Sequence, residues 1–202
     1  TAVTRFAERT GARIAWVPRR AGERGAVEVG ALPNLLPGGR PVTDATARGQ
    51  IEQAWSLETG ALPSTPGRDI TGILQATAAG DLSGLVIGGV DPDDLPDPEL
   101  ADKALRRAGF VVSLEMRPTA ATEHADVILP IAAAVEKAGT FVNWEGRERE
   151  FEVTIESVGR LPDCRVLDTL AVEMDVDLFT QTPAAAGAEW HRLGNHTAAR
   201  PA

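Results

Sequence analysis

Short apolar runs alternate with segments of helical period along most of the chain. ARIAWV (12–17), GLVIGGV (84–90), GFVVSL (109–114) and ADVIL (125–129) are rich in Val, Ile and Leu, with few polar positions. Runs that are apolar on both faces belong to sheets covered on both sides, the usual setting of parallel strands. These four are therefore predicted strands. Helical patterns lie between them. TDATARGQIEQAW (43–55) follows a Thr/Asp cap and puts Ala47, Ile51 and Trp55 on one face. DITGILQATAA (69–79) opens on an Asp cap and stops at Gly80. DPELADKALRRA (97–108) starts with Asp97, has Pro98 at the first helical position, and ends on Arg106 and Arg107. This order predicts an α/β fold, a doubly wound, mostly parallel sheet with right-handed crossovers.

Three stretches break the pattern. Residues 22–41 are too rich in glycine and proline for a helix or a central strand. They read as a long ordered loop that carries Leu32, Leu35 and Leu36 into a groove. DPDDLPDP (91–98) is a second special loop. After residue 140 the character changes: REREFEVTIES (147–157) alternates polar and apolar positions as an edge strand does, and LPDCRVLDTLAVEMDV (161–176) is one more amphipathic helix. The tail 183–202 reads as a frayed helix and then a linker. The expected division is an α/β domain over 1–158, incomplete at its N-terminus, and a helical extension with linker over 159–202. The chain starts with Thr1, inside an amphipathic segment, which suggests a piece of a longer polypeptide.

Composition narrows the chemistry. A net charge of −9 disfavours unaided binding to nucleic acid or to an anionic membrane surface. No apolar run reaches the roughly 18 residues that a membrane helix needs, so no direct membrane insertion is expected. Cys164 is the single cysteine. It excludes a disulfide framework, and any iron–sulfur cluster or cysteine zinc site held by this chain alone. The chain has 18 Arg against 2 Lys, which reads as the coding bias of a GC-rich genome.

Isolated reactive residues offer little. His191 and His196 are badly spaced for one helix face and lack the constellation of a metal site, and His124 reads as an end-of-strand residue. Cys164 lies in a first helical turn, but neighbouring Asp163 opposes thiolate formation. Gly88 and Gly89 follow a strand as phosphate-cradling glycines do. Yet Asp91, Asp93, Asp94, Asp97 and Glu99 come next, and their charge would repel a phosphate. The densest polar cluster is 136–147, with Glu136, Lys137, Asn143, Glu145 and Arg147. Its alternative reading is structural: Gly139 and Gly146 supply turn dihedrals, Asn143 closes a side-chain–backbone turn, and Glu145–Arg147 is a surface pair.

That cluster also carries a resemblance. The stretch 118–147, PTAATEHADVILPIAAAVEKAGTFVNWEGR, is similar to the molybdopterin oxidoreductase superfamily. Family features are the ADVILP strand (125–130), the Glu136-Lys137 turn, Gly139-Thr140-Phe141, Asn143, and Glu145-Gly146-Arg147. LVIGGVDP (85–92) stands where the family has a strand and a Gly-rich turn. Within the superfamily the chain resembles the large iron–sulfur subunits of bacterial NADH-quinone oxidoreductase, respiratory complex I, on the loop 16–40. Asp91 replaces the amide expected in a cofactor-binding turn, and bulky Trp144 fills a usually small position. Both departures imply a structural domain without pterin. The resemblance then implies a vestigial site drawn from Arg19, Arg20, Gly88, Asp91, Thr140, Asn143, Glu145 and Arg147, with no catalytic residue and no metal. It implies Fe–S clusters elsewhere in the full subunit, held by cysteines outside this chain. The implied partners are the rest of that subunit and other subunits of a peripheral arm, on the cytoplasmic side of a bacterial membrane. Two alternatives remain: a pterin-binding domain of the formate dehydrogenase or nitrate reductase kind, and a plain nucleotide-binding module. At least one of Arg19, Arg20 and Arg24 is expected to pair with the acidic loop that carries Asp91, Asp93 and Asp94.

Overall fold

The computed structural model describes residues 2–18, 22–156 and 158–196. The chain opens with α1 (Ala2–Thr10) and a short α2 (Glu23–Glu28). An antiparallel pair of two-residue strands comes next, β1 (Leu35–Leu36) and β2 (Arg40–Pro41), and then α3 (Ala45–Ala54). The central unit is α4 (Ile70–Ala79), β3 (Gly84–Gly88), α5 (Pro98–Arg107), β4 (Phe110–Glu115) and β5 (Val127–Pro130). A hairpin of β6 (Gly139–Val142) and β7 (Glu148–Phe151) succeeds it, and α6 (Asp163–Val172) and α7 (Pro183–Leu193) complete the chain.

The helix starts follow their caps. The Asp44 carboxylate accepts from the Thr46 and Ala47 amides at 2.8 and 3.2 Å, and Asp69 accepts from Gly72 at 2.8 Å. Asp97 accepts from Leu100 at 2.9 Å, with Pro98 behind it at the first helical position. Helix α4 stops at Gly80, whose φ of 90° is open to glycine at little cost.

Strands β3, β4 and β5 form a parallel sheet in that order, as the α/β reading predicts. Helix α5 makes the first crossover. The second, from Glu115 to Val127, is a loop with a 3-10 turn over Thr122–His124. Asp126 opens β5 by accepting the Val111 amide at 2.7 Å and donating its own amide to the Val111 carbonyl at 2.8 Å. The register sorts the side chains. Leu85, Val111, Ile87 and Ser113 share one face, and Val111 and Ser113 are wholly buried there. Phe110, Val86, Val112 and Val127 share the other, where Val86 is 65% exposed and Phe110 and Val127 are exposed as well. Helices α4 and α5 pack together through Leu74, Ala101 and Ala104, with Ala78, Leu95 and Leu100 around them. Burial does not divide cleanly by face among the described residues: Ile128, level with Ser113, is half exposed, and Leu114 on the other face is buried.

Two expectations need correction. ARIAWV (12–17) is not a strand. Its backbone joins no ladder, and Ile14, Trp16 and Val17 are exposed. Apolarity alone does not make a strand; the N–H and C=O groups need a neighbouring edge. Residues 22–41 are less irregular than their glycines suggest. Gly22 adopts a left-handed φ of 92° and starts α2, while β1 and β2 close a small turn. Leu36 does enter a core, packing with Val42 and Ile51 beside Leu62 and Leu193. Leu35 is half-buried and Leu32 is exposed.

Arg40 fastens that core to the C-terminal helix. Its side chain is 6% exposed. Nε donates to Gln50 Oε1 at 2.9 Å, one terminal nitrogen donates to the Pro37 and Gly194 carbonyls at 2.8 and 2.9 Å, and the other to the Leu193 carbonyl at 2.9 Å. Burial lowers its pKa from the ordinary arginine value. The Leu193 and Gly194 carbonyls are the unsatisfied end of α7. Farther along, β7 meets α7 through Glu148. Its carboxylate accepts from Trp190 Nε1 at 3.4 Å and lies 3.1 Å from His191 Nε2, while His191 Nδ1 lies 2.8 Å from the Gly187 carbonyl.

Replacing Arg40 by Met should lower the chain's stability by about 2–3 kcal/mol in denaturant unfolding, because four carbonyl-type acceptors lose a charged donor. Arg40→Lys should fail to restore it, since an ammonium cannot span the same fork.

The His191 contact should be pH-sensitive. The hydrogen bond to Glu148 raises the His191 pKa above its ordinary 6.5. The same pairing lowers Glu148 below its ordinary 4.5. The histidine contribution is therefore complete below about pH 6.5 and lost as pH rises through the raised value. The glutamate contribution is present above about pH 4.5 and lost as pH falls through the lowered value. Protease protection of α7 should weaken as pH rises above about 6.5 and through the raised His191 value, and His191→Gln should flatten that dependence.

Candidate functional site

The β6–β7 hairpin presents the motif residues 139–147, and its turn is closed by Asn143. The Asn143 side-chain oxygen accepts from the Glu145 and Arg147 amides at 3.0 and 2.9 Å. Its main-chain carbonyl accepts from the Gly146 amide at 2.9 Å, and its amide donates to the Arg147 carbonyl at 3.0 Å. Gly146 has a φ of 83°, the left-handed conformation that an ordinary residue adopts at a cost. Gly139 differs from expectation. It supplies space rather than a turn dihedral: a Cβ there would come within 2.7 Å of the Phe151 ring. That absence lets Phe151 stack on Phe141, with ring centroids 4.5 Å apart and planes 25° from parallel.

Beside this hairpin lies an open groove of about 390 Å³. Arg24, Phe141, Asn143, Trp144, Arg147 and Arg149 line it, together with Val17 and Pro18. Arg24 reaches in from α2 across Gly146; a Cβ on Gly146 would meet its guanidinium at 3.3 Å. Arg147 and Arg149 reach in because they are two apart along an extended segment and so share a face. That alternation was legible in REREF. Arg24 was legible as a basic residue, but its approach depends on how α2 folds.

Three guanidiniums with two aromatic rings would suit a planar anion, and two of the three already carry carboxylates from within the chain. Arg24 pairs with Glu28, and Arg147 Nε lies 3.2 Å from Glu145. The Asn143 amide is spent on its own turn and on Glu145 at 3.4 Å. Arg149 donates to the Glu148 carbonyl at 2.8 Å.

The other sequence candidates lie apart from the groove. Thr140 is exposed on β6 opposite Glu150. Gly88 ends β3, and Gly89 turns the chain at a φ of 61°. The Asp91 carboxylate accepts from the Asp93 amide at 3.1 Å, capping a 3-10 turn over Pro92–Asp94. Arg19 and Arg20 lie outside the described residues. Arg24, grouped with them as a partner of the acidic loop, pairs with Glu28 instead, one helical turn away. Glu136 and Lys137 stitch the hairpin to the approach to α6. Glu136 lies 3.1 Å from Arg160 and accepts from the Ala133 amide at 2.9 Å, and Lys137 pairs with Asp163.

Of the reactive residues, Cys164 is half-buried in the first turn of α6, and burial raises its thiol pKa. His124 lies 3.6 Å from Asp102. Among the described residues no three His, Cys, Asp or Glu side chains converge as a metal site would require.

A pterin dinucleotide, the group the resemblance brings with it, suits this donor set only in part, through the unpartnered buried Arg24 Nε and through Arg149, which carries no carboxylate. Its phosphates need unengaged donors and positive charge. Here two groove guanidiniums already carry carboxylates, and the sheet end after β3 carries Asp91, Asp93 and Asp94.

Comparison with known proteins matches the same segments. The family profile described as molybdopterin oxidoreductase covers residues 2–163. The chain is 52% identical over 198 residues, 96% of its length, to the G subunit of the NADH-quinone oxidoreductase of Mycobacterium bovis. It is 52% identical over 199 residues to the corresponding G subunit from Streptomyces coelicolor. A more distant relative, the periplasmic nitrate reductase of Desulfovibrio desulfuricans, is 32% identical over 74% of the chain. The chain spans about a quarter of the length of its two actinobacterial relatives, 24% and 23%. With its parallel α/β sheet, its motif hairpin and a profile match over most of its length, the chain belongs to the molybdopterin oxidoreductase family.

Proposed function

We propose that the chain is a structural, cofactor-less α/β piece of the large iron–sulfur subunit of an NADH-quinone oxidoreductase. In such a complex, electrons pass from NADH through Fe–S clusters to quinone, and the transfer drives ion translocation. The observation that carries this reading is the pairing of two of the three groove arginines with carboxylates of the chain, Glu28 on Arg24 and Glu145 on Arg147. The 52% identity to the NADH-quinone oxidoreductase G subunits of two actinobacterial species supports it independently. In this reading the chain bears no redox centre. The clusters belong to the remaining length of the polypeptide, and this piece packs against that remainder and against neighbouring subunits of a peripheral arm. It belongs at the cytoplasmic face of a bacterial membrane. No described helix is long and apolar enough to cross a membrane, which is compatible with that peripheral place.

A second reading has its own support. The likeness to a nitrate reductase over 74% of the chain favours a domain that contacts a pterin dinucleotide in a catalytic enzyme. Metal analysis of the full-length protein separates the two. The structural reading predicts iron in cluster amounts, with molybdenum and tungsten below about a tenth of an atom per polypeptide. One atom of either metal per polypeptide would replace it with the catalytic reading.

A further inference from the structure

Helix α7 is fastened on two sides, and the fastenings differ in kind. Towards α3 and the β1–β2 turn, Arg40 donates to the Leu193 and Gly194 carbonyls at 2.9 Å, and Trp55 Nε1 donates to Glu189 Oε1 at 2.7 Å. Just past the helix, the His196 amide donates to the Gly38 carbonyl at 2.8 Å. A guanidinium, an indole and a main-chain amide all keep their protons across the neutral range. Towards the β6–β7 hairpin, α7 reaches one carboxylate, Glu148, with Trp190 Nε1 at 3.4 Å and His191 Nε2 at 3.1 Å. One of those two groups, the imidazole, changes its charge near neutral pH.

Glu148 opens β7 and stands between Arg147 and Arg149. Side chains alternate along an extended segment, so holding Glu148 on α7 keeps both arginines turned to the other side, where they line the groove. The helix therefore ties the motif hairpin to the α3 unit through contacts made wholly within this chain.

The charges around the clasp fix its sign. From β7, Glu148 and at longer range Glu150 favour the protonated His191, and the Gly187 carbonyl lies 2.8 Å from the other ring nitrogen. Other charges on the neighbouring elements are engaged elsewhere: Asp163 with Lys137, Asp168 with the Thr180 amide, Arg48 with the Val42 carbonyl, and Glu52 with the Gly60 and Leu62 amides. Arg165 on α6 and Arg192 on α7 oppose protonation, but the pairing with Glu148 outweighs them and raises the His191 pKa above 6.5. It also lowers Glu148 below 4.5. The pair is complete between about pH 4.5 and 6.5, and its charge–charge part is lost as pH rises through the raised His191 value. The Trp190 bond does not titrate with it, so the loosening is partial. On the α3 side His196 lies 3.8 Å from Asp44, outside hydrogen-bonding distance.

We infer that α7 is a strap with one permanent and one proton-dependent end, holding the motif hairpin to the α3 unit tightly in mildly acidic solution and loosely in mildly alkaline solution. Two indoles of the full-length polypeptide read it. Trp190 reports the hairpin side and Trp55 the α3 side, and their resonances are assigned from Trp190→Phe and Trp55→Phe. The ratio of indole N–H exchange rates, Trp190 over Trp55, cancels the intrinsic pH dependence of exchange. It should rise about two- to fivefold as pH climbs above about 6.5 and through the His191 value, the size an exposed ion pair supports. High salt should shrink the rise. His191→Gln and Glu148→Gln should each hold the ratio constant across the same window. Both alter exposed side chains, and an unchanged Trp55 rate marks each variant as folded. A ratio that stays constant or falls in the unsubstituted polypeptide would overturn the inference, including the case in which both rates rise together because α7 leaves as one body. A rise that survives both variants would overturn it too, since another group would then carry the titration.

Discussion

A parallel sheet must be covered on both faces, because its strands are apolar on both, and the described chain leaves large apolar side chains exposed on each. That constraint organises the molecule. Val111, Ser113 and Leu114 are buried, while Ile128 beside Ser113, and Val86, Phe110 and Val127 on the opposite face, stand open. A chain spanning about a quarter of its relatives' length is consistent with a sheet built to be finished by further polypeptide. The contacts that are complete are those the chain can make by itself. They are the Arg40 fork onto the end of α7, the Asn143 turn, and the ion pairs that join the hairpin to α6.

The second organising feature is where charge is met. In a relative that binds an anionic cofactor, groove arginines and strand-end glycines would face phosphate. Here Glu28 and Glu145 occupy two of those guanidiniums, and the turn after the glycines is built from aspartates, with the Asp91 carboxylate capping its own backbone. The motif that relates the chain to its family persists as architecture. Asn143 closes the turn, Gly146 admits Arg24, and Gly139 admits Phe151.

Much of this was readable from the sequence, and the failures share a cause. Asp44, Asp69 and Asp97 announced three helices because a cap acts locally, within three residues of the cap itself. The strands at 84–88, 110–115 and 127–130 were legible because each is a short apolar run rich in Val, Ile or Leu, the first two in a β–α–β order. ARIAWV had the same local signature and formed no strand, since a ladder depends on a neighbour that composition does not reveal. In the site, Asn143 and the Glu145–Arg147 pair were legible because they are close in sequence. Arg24 against Gly146, and Phe151 over Gly139, were not. Each joins residues whose approach is set by tertiary packing.

The electrostatic closure of the groove is open to direct observation. A structure of the full-length subunit in its assembly, at a resolution that shows side chains, would display the groove with its surroundings complete. Arg24 on Glu28 and Arg147 on Glu145, with Asn143 still closing its turn, is the arrangement expected. Density for a pterin dinucleotide with its phosphates on Arg24 and Arg147, and with Glu28 and Glu145 turned away, would contradict it.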